Sequence, residues 1–460
     1  MGISDFLYSK LPLCAQNLAV SAYGLYWHWL RFGPGYQSYL EEYLDRENYG
    51  IQEWQAWSRE ELAKLLNLAV TQVPYYMKSW TPEQQKAARR GELQLLPVLE
   101  KDAVRAQPRS FVRRDLHPGR DYAFYTSGTS GTPIASIWTR PEIRASIAIR
   151  EARSARWAGV SFSRPRATFS GRLAESNPNS KGPYYRYNLV EKQVYLSPFH
   201  LRPDTARQYV QAMAKHRVEW LTGYAVSYYL LGRMILDQKI PVPPLKAIIT
   251  TSEKVTPEMR QVMESAYRCR VYEEYSTVEN CVFASECGAG RLHVSPDIGL
   301  VEILKNDGTA CSPGEVGEVV ATCMFKNYQI LIRYRLGDLA AWDPEPCPCG
   351  RAMPVIKEIV GRIEDVVRGP DGREMVRFHG IFVNQPHVRE GQIIQETLNQ
   401  IRVKVVPTEE FDLTDRRDII HRVQQRLGEG VAVAVETVSE IPRTKAGKFK
   451  AVISQVSPSL

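Results

Sequence analysis

Two groups of residues in this sequence have the types and spacing to do chemistry. The first is the run Tyr125-Thr126-Ser127-Gly128-Thr129-Ser130-Gly131-Thr132-Pro133, which follows a short apolar strand and precedes a helical stretch. Its glycines let the backbone close tightly on a ligand, and its hydroxyls and backbone N–H groups suit phosphate oxygens. It lacks the Gly-Lys-Ser/Thr ending of a Walker A loop and contains no lysine. Taken alone, the same run also reads as a flexible Ser/Thr/Gly linker. The second group is Cys287, His293, Cys347 and Cys349, three thiols and an imidazole that can complete a closed, structural zinc site. Cys281 and His379 stand as reserve ligands, and unpaired buried thiols are the alternative. Cys14, Cys269, Cys311 and Cys323 read as small apolar residues.

Four further strings follow the hydroxyl-rich run in order. They are Tyr275-Ser276-Thr277-Val278-Glu279, Tyr334-Arg335-Leu336-Gly337-Asp338, Gly361-Arg362-Ile363-Glu364-Asp365 and Pro442-Arg443-Thr444-Lys445-Ala446-Gly447-Lys448. Each is weak alone. In this order they resemble the core motifs of the adenylate-forming superfamily of acyl-CoA synthetases, peptide-synthetase adenylation domains and luciferases. Within it the chain is similar to the phenylacetate-CoA ligase-like, CapK-type branch, through Tyr185 to Asn188, Tyr195 to Leu201, Leu221 to Tyr224, Arg291 to Asp297 and Cys347 to Arg351. Leu11 to Val20 shares that likeness, so the resemblance spans nearly the whole chain.

The resemblance implies an ATP-dependent ligase that makes an acyl-AMP and releases pyrophosphate. Thr126, Ser127, Gly128, Thr129, Ser130 and Gly131 would hold the β- and γ-phosphates, and Glu279 would ligate Mg²⁺. Asp338 would take the ribose hydroxyls and Arg362 would contact the nucleotide, while Ser252, Glu253 and Tyr275 would shape the adenine site. Lys448 would stabilise charge developing at the α-phosphorus. The family commonly has Gly and Thr where this chain has Ser276 and Val278, so Thr277, one position earlier, or a water would supply the missing hydroxyl. Glu364 stands where many relatives have the hinge aspartate. Segments Phe169 to Tyr187 and Gly223 to Tyr229, with Tyr224, are candidates for the lining of the acid's pocket, and His200 in Ser197-Pro198-Phe199-His200 would border it, a structural histidine being the alternative.

The implied acceptor is a thiol, coenzyme A first. A carrier-protein thiol or an amine is the alternative, as in polysaccharide or natural-product biosynthesis. A non-catalytic nucleotide-binding scaffold is the reading from another class, and the joint presence of Lys448, Glu279 and Asp338 argues against it. The acid, the pathway and the oligomeric state, a homodimer included, stay open.

The elements around these residues predict an α/β fold. Hydrophobic residues make up 44% of 460, enough for two or more domains. Residues 1–115 read as mainly helical, with apolar residues at helical spacing in Glu41 to Leu68 and in Pro82 to Leu96, where Thr81 can cap. From Asp121 strands and helices alternate, as in a mostly parallel sheet, with a helix over Glu142 to Trp157 and a buried strand at Ala247 to Thr250. Residues 292–342 read as a β-rich subdomain, with turns at Asp307-Gly308 and Pro313-Gly314. The expected division is a large domain, 1–360, and a small mobile α+β domain, 361–460, carrying Lys448 and a helix over Asp415 to Leu427.

Lys and Arg total 59 against 51 acidic residues, and the excess of +8 is spread out, which gives a nucleic-acid role little support. Leu11 to Leu30 is apolar and aromatic but interrupted by polar residues. It reads as a packing helix, with a peripheral membrane or partner contact as the alternative and no integral span. With no export signal, the eight cysteines suggest reduced thiols and a cytoplasmic protein.

Overall fold

The computed structural model describes residues 11–126, 133–170, 174–175, 180–305, 307–359, 367–375, 378–382, 385–441 and 452–456. Among the described residues six α-helices come first: Leu13–Phe32, Tyr36–Arg46, Ile51–Gln72, Pro74–Ser79, Pro82–Arg89 and Lys101–Ala106. Thr81 caps the fifth as expected, its backbone N–H bonded to the Gln84 side chain at 2.9 Å. That helix stops at Arg89, before the expected Leu96, because Arg90-Gly91 turns the chain at Gly91 with φ of +78°. The first helix packs one side only: Leu18 is 71% and Leu25 60% exposed, while Leu30 is buried. No helix among the described residues is long and apolar enough to cross a membrane.

A twelve-stranded sheet forms the centre. Its order is Gly299–Leu304, Gly317–Cys323, Tyr334–Trp342, Val355–Ile359, Leu292–Val294, Phe283–Glu286, Arg270–Ser276, Ala247–Thr251, Trp220–Tyr224, Arg166–Phe169, Gln193–Leu196 and Tyr185–Asn188. The run from Arg270–Ser276 to Gln193–Leu196 is parallel. The β-rich stretch joins its edge antiparallel, so the parallel and β-rich parts read from sequence share one sheet. Ala247–Thr251 is buried on both faces, which accounts for its continuous apolar run. Gly223, at φ +121°, is required where two parallel strands meet: a Cβ there would lie 1.9 Å from the Phe169 carbonyl oxygen.

Two cores flank the sheet. Leu66, Val73 and Phe111 from the N-terminal region pack on Ile330, Ile332 and Tyr334. Helices Ala206–Lys215, Ala225–Asp237 and Pro257–Tyr267 pack on the parallel strands through Tyr209, Tyr228 and Tyr267. A separate core, with Ile393, Val403 and Ile419, joins a four-stranded sheet to helix Leu413–Leu427. The helix read over Glu142 to Trp157 is instead α-helical over Arg140–Ile149, started by a Thr139–Glu142 capping box. It continues as a π-helical turn, Arg150–Ala155. π-turns often mark functional positions, and this one re-aims three side chains. Arg153 reaches Asp297 at 2.6 Å, Ser154 reaches Glu274 at 2.7 Å, and Arg150 reaches Ser276 at 3.0 Å.

Candidate active site

One cleft of about 860 Å³ collects Thr126, Ser252, Glu253, Tyr275, Ser276, Thr277, Glu279 and Asp338. The sheet explains why. Tyr275, Ser276 and Thr277 lie at or just past the end of one strand, and Ser252 and Glu253 just past the end of its parallel neighbour. In open α/β sheets, ligand crevices form outside these carboxyl ends. Asp338 enters from the antiparallel strand Tyr334–Trp342. Its Oδ2 accepts from the Tyr275 hydroxyl at 2.9 Å, so two of the sequence strings meet directly.

Glu279 is 4% exposed, and its Oε1 accepts from the Tyr334 hydroxyl at 2.8 Å. Burial, then the neighbouring Glu279 carboxylate, pushes the Tyr334 phenol far up, so it remains a donor. Sequence reasoning singled out Asp338 in the string that begins at Tyr334, and missed the tyrosine's own role. Strand alternation could not have found it, because the register shifts between the pairings with Val320 and Glu318 and Gly337 adopts φ of +72°.

The departure at Ser276 acquires a partner. Arg150 donates through Nη2 to Ser276 Oγ at 3.0 Å and through Nη1 to Glu274 Oε1 at 3.0 Å. Nothing local in the sequence marks Arg150, because its placement depends on the π-turn. The buried Thr277 Oγ1 has no hydrogen-bond partner among the described residues and belongs to a cleft-lining residue. Such a group needs a ligand or water to be satisfied. Ser252 adopts φ +74°, a left-handed conformation that costs a non-glycine residue about 1–3 kcal/mol. Glu253 Oε2 accepts from Val226 N at 2.9 Å, at the start of helix Ala225–Asp237.

Thr126 pins the base of the hydroxyl-rich loop. Its N donates to Ile134 O at 3.1 Å, and its Oγ1 accepts from Ile134 N at 3.0 Å. Ser127, Gly128, Thr129, Ser130 and Gly131 lie outside the described residues, as do Arg362, Glu364 and Lys448. Tyr224 pairs in register with Thr251, one residue before Ser252. His200 is not brought to this cleft's wall. It is 2% exposed, stacked on Tyr184 at 4.8 Å, and its Nδ1 lies 2.8 Å from Ser197 Oγ.

Cys287, His293, Cys347 and Cys349 do come together, with all four donor atoms within 4.8 Å of one another. Cys287 and Cys347 sulfurs are 3.6 Å apart, and Cys349 Sγ is 3.3 Å from His293 Nε2. His293 Nδ1 faces the Met353 carbonyl at 3.2 Å, which turns Nε2 toward the thiols. Burial holds this histidine below its usual range, keeping the imidazole neutral. Cys281 sits elsewhere, in the core beside Glu279, and the His379 side chain lies outside the described residues.

Comparison with known proteins follows this geometry. A profile of the CapK C-terminal domain matches residues 373–455. The chain is 24% identical to protein CapK of Staphylococcus aureus, covering 98% of this chain and 99% of that one. It is 27% identical to a phenylacetate-coenzyme A ligase of Thermus thermophilus, over 37% of this chain and 44% of the ligase. Crystal structures of a 2-hydroxyisobutyryl-CoA ligase share the fold. One, with 2-HIB-AMP and CoA in the thioesterification state, has a TM-score of 0.58 at 20% identity, covering 89% of this chain and 92% of that one. Another, in the postadenylation state, has a TM-score of 0.54 at 20% identity, covering 89% and 91%. Over nearly its whole length the chain is similar to protein CapK, over part of it to a phenylacetate-coenzyme A ligase, and it shares the fold of an acyl-CoA ligase.

Proposed function

We propose that the chain is an AMP-forming ligase that activates a carboxylic acid as its acyl-AMP and passes the acyl group to a thiol, coenzyme A. The observation that carries this is the convergence on one cleft of Glu279, Asp338, Tyr275 and Ser252 with its strained backbone, drawn from separate strings. The fold shared with a ligase holding 2-HIB-AMP and CoA supports the same pair of steps.

In this reading Asp338, fixed by Tyr275, accepts from the ribose hydroxyls. Thr277 offers its unpartnered hydroxyl to a phosphate oxygen, doing from one position earlier what the family's usual threonine does. Arg150 holds Ser276 and Glu274 and so sets the course of that strand end. Glu279 is an oxygen donor that fits Mg²⁺, with Tyr334 engaging Oε1. The ion would neutralise triphosphate charge. Lys448 would act at the α-phosphorus, Arg362 on the nucleotide, and residues 361–460 would turn about Glu364 between the two steps. The three-thiol, one-imidazole set fits a closed structural Zn²⁺, which would tie Leu292–Val294 to the segment carrying Cys347 and Cys349.

The test is to incubate the protein with ATP, Mg²⁺, mixed carboxylic acids and CoA or amines, and to weigh the products. AMP, pyrophosphate and an acyl-CoA are expected. An acyl-amide in place of the thioester would transfer the proposal to an amine acceptor. No acid-dependent AMP with any acceptor would overturn it.

A further inference from the structure

Outside the motif strings, one segment is stitched directly to the wall of the cleft. Leu99 N donates to Arg333 O at 2.8 Å and Leu99 O accepts from Arg335 N at 3.0 Å, a parallel bridge to the strand carrying Tyr334, Leu336 and Asp338. The short helix Lys101–Ala106 begins two residues later. Lys101 and Arg105 are four apart, hence on one helix face, and both line the cleft. Lys101 Nζ donates to the Leu336 carbonyl at 2.6 Å, which holds the ammonium at the cleft wall between the positions of Tyr334 and Asp338.

Arg105 lines the same cleft as Glu279, and its charge acts on the Tyr334 phenol against the larger effects of burial and of Glu279. It pairs with Asp102, among other contacts. The Asp102 side chain is 88% exposed, whereas that of Arg105 is 22% exposed. Pairs with a solvated partner contribute only about 0–1 kcal/mol, so Asp102 is a weak competitor for an anion arriving in the cleft. The cleft also presents Glu279, Asp338, Glu253 and Glu274. A polyanionic ligand entering among these carboxylates needs cations fixed in the cleft, and Lys101 and Arg105 are two that line it.

We propose that Lys101 and Arg105 form a phosphate-binding wall of this cleft, taking the β- and γ-phosphates of ATP, the two that leave together as pyrophosphate. The proposal rests on reading the cleft as an ATP site. Arg105 supplies a planar fork that matches two phosphate oxygens, and Lys101 supplies a point charge anchored to the strand.

Calorimetric titration of the full chain with MgATP, AMP and magnesium pyrophosphate tests it, using wild type, Lys101→Ala, Arg105→Ala and Arg105→Lys. Arg105→Ala should weaken MgATP and pyrophosphate by about ten- to a hundredfold, while AMP changes by less than about twofold. Lys101→Ala should move the same ligands in the same direction, and Arg105→Lys should fall between wild type and alanine. Unchanged AMP binding also certifies that the variants are folded. Equal losses for ATP and AMP, or no loss for either, would overturn the wall. A wild type that binds no MgATP would sink the ATP-site reading, and the wall with it.

Discussion

The cleft forms where the parallel strands of one sheet meet its antiparallel half, and the Cys/His cluster lies on that antiparallel half, yet their polar groups are arranged in opposite ways. In the cluster, the four donors face one another within 4.8 Å, and the imidazole's second nitrogen is turned to a backbone carbonyl. In the cleft, polar groups are held by neighbours while lining a space that can take a ligand. Asp338 is held by Tyr275, Glu279 by Tyr334, and Thr277 Oγ1 has no partner among the described residues. A closed set of donors secures a fold; groups held by their neighbours along a cleft are preorganised for something that comes and goes.

Breaking the two regions separately should give separable losses. Glu279→Gln should lower adenylation by about a hundred- to a thousandfold, the scale of losing one preorganised charge contact, about 2.7–4 kcal/mol. Acid-dependent pyrophosphate release reads this, and the melting temperature should barely move. Cys347→Ser should do the reverse. Protein purified without added metal should contain about one zinc per chain; the variant should lose it and melt several degrees lower, with residual activity in the fraction still folded. Wild type free of zinc, with the variant's stability unchanged, would leave the cluster as plain buried thiols.

Glu364→Pro, which fixes φ near −65°, should leave adenylation standing and slow acyl transfer about tenfold or more. Loss of neither step would place the hinge elsewhere. The smallest effect belongs to Tyr334→Phe, which removes one tie from Glu279. It should cost about 0.5–1.5 kcal/mol in activity, seen as a higher Mg²⁺ requirement that excess Mg²⁺ restores. A loss that Mg²⁺ does not restore would mean that the tyrosine serves the fold alone.

The sequence made the ends of this machinery legible better than its supports. Strings at strand termini, such as Tyr275 to Glu279, were legible through their order along the chain and their resemblance to family motifs. The Cys/His set was legible because soft donors seldom gather without cause. Arg150, Lys101 and Arg105 were not: Arg150 reaches Ser276 from a π-turn distant in sequence, and Lys101 and Arg105 reach the cleft from a segment joined by a single backbone bridge. Strand alternation predicted a parallel sheet and a β-rich part, but periodicity names no partners. That both parts form one sheet follows from the antiparallel pairing of Phe283–Glu286 with Arg270–Ser276.

The central claim is that a carboxylate oxygen attacks the α-phosphorus of ATP in this cleft. Once the product screen has identified an acid, supplying that acid with heavy oxygen in its carboxylate tests the claim directly. The account predicts one heavy oxygen in the phosphate of the AMP formed, and none in pyrophosphate. Label in inorganic phosphate with ADP as the nucleotide product, or AMP without label, would contradict it.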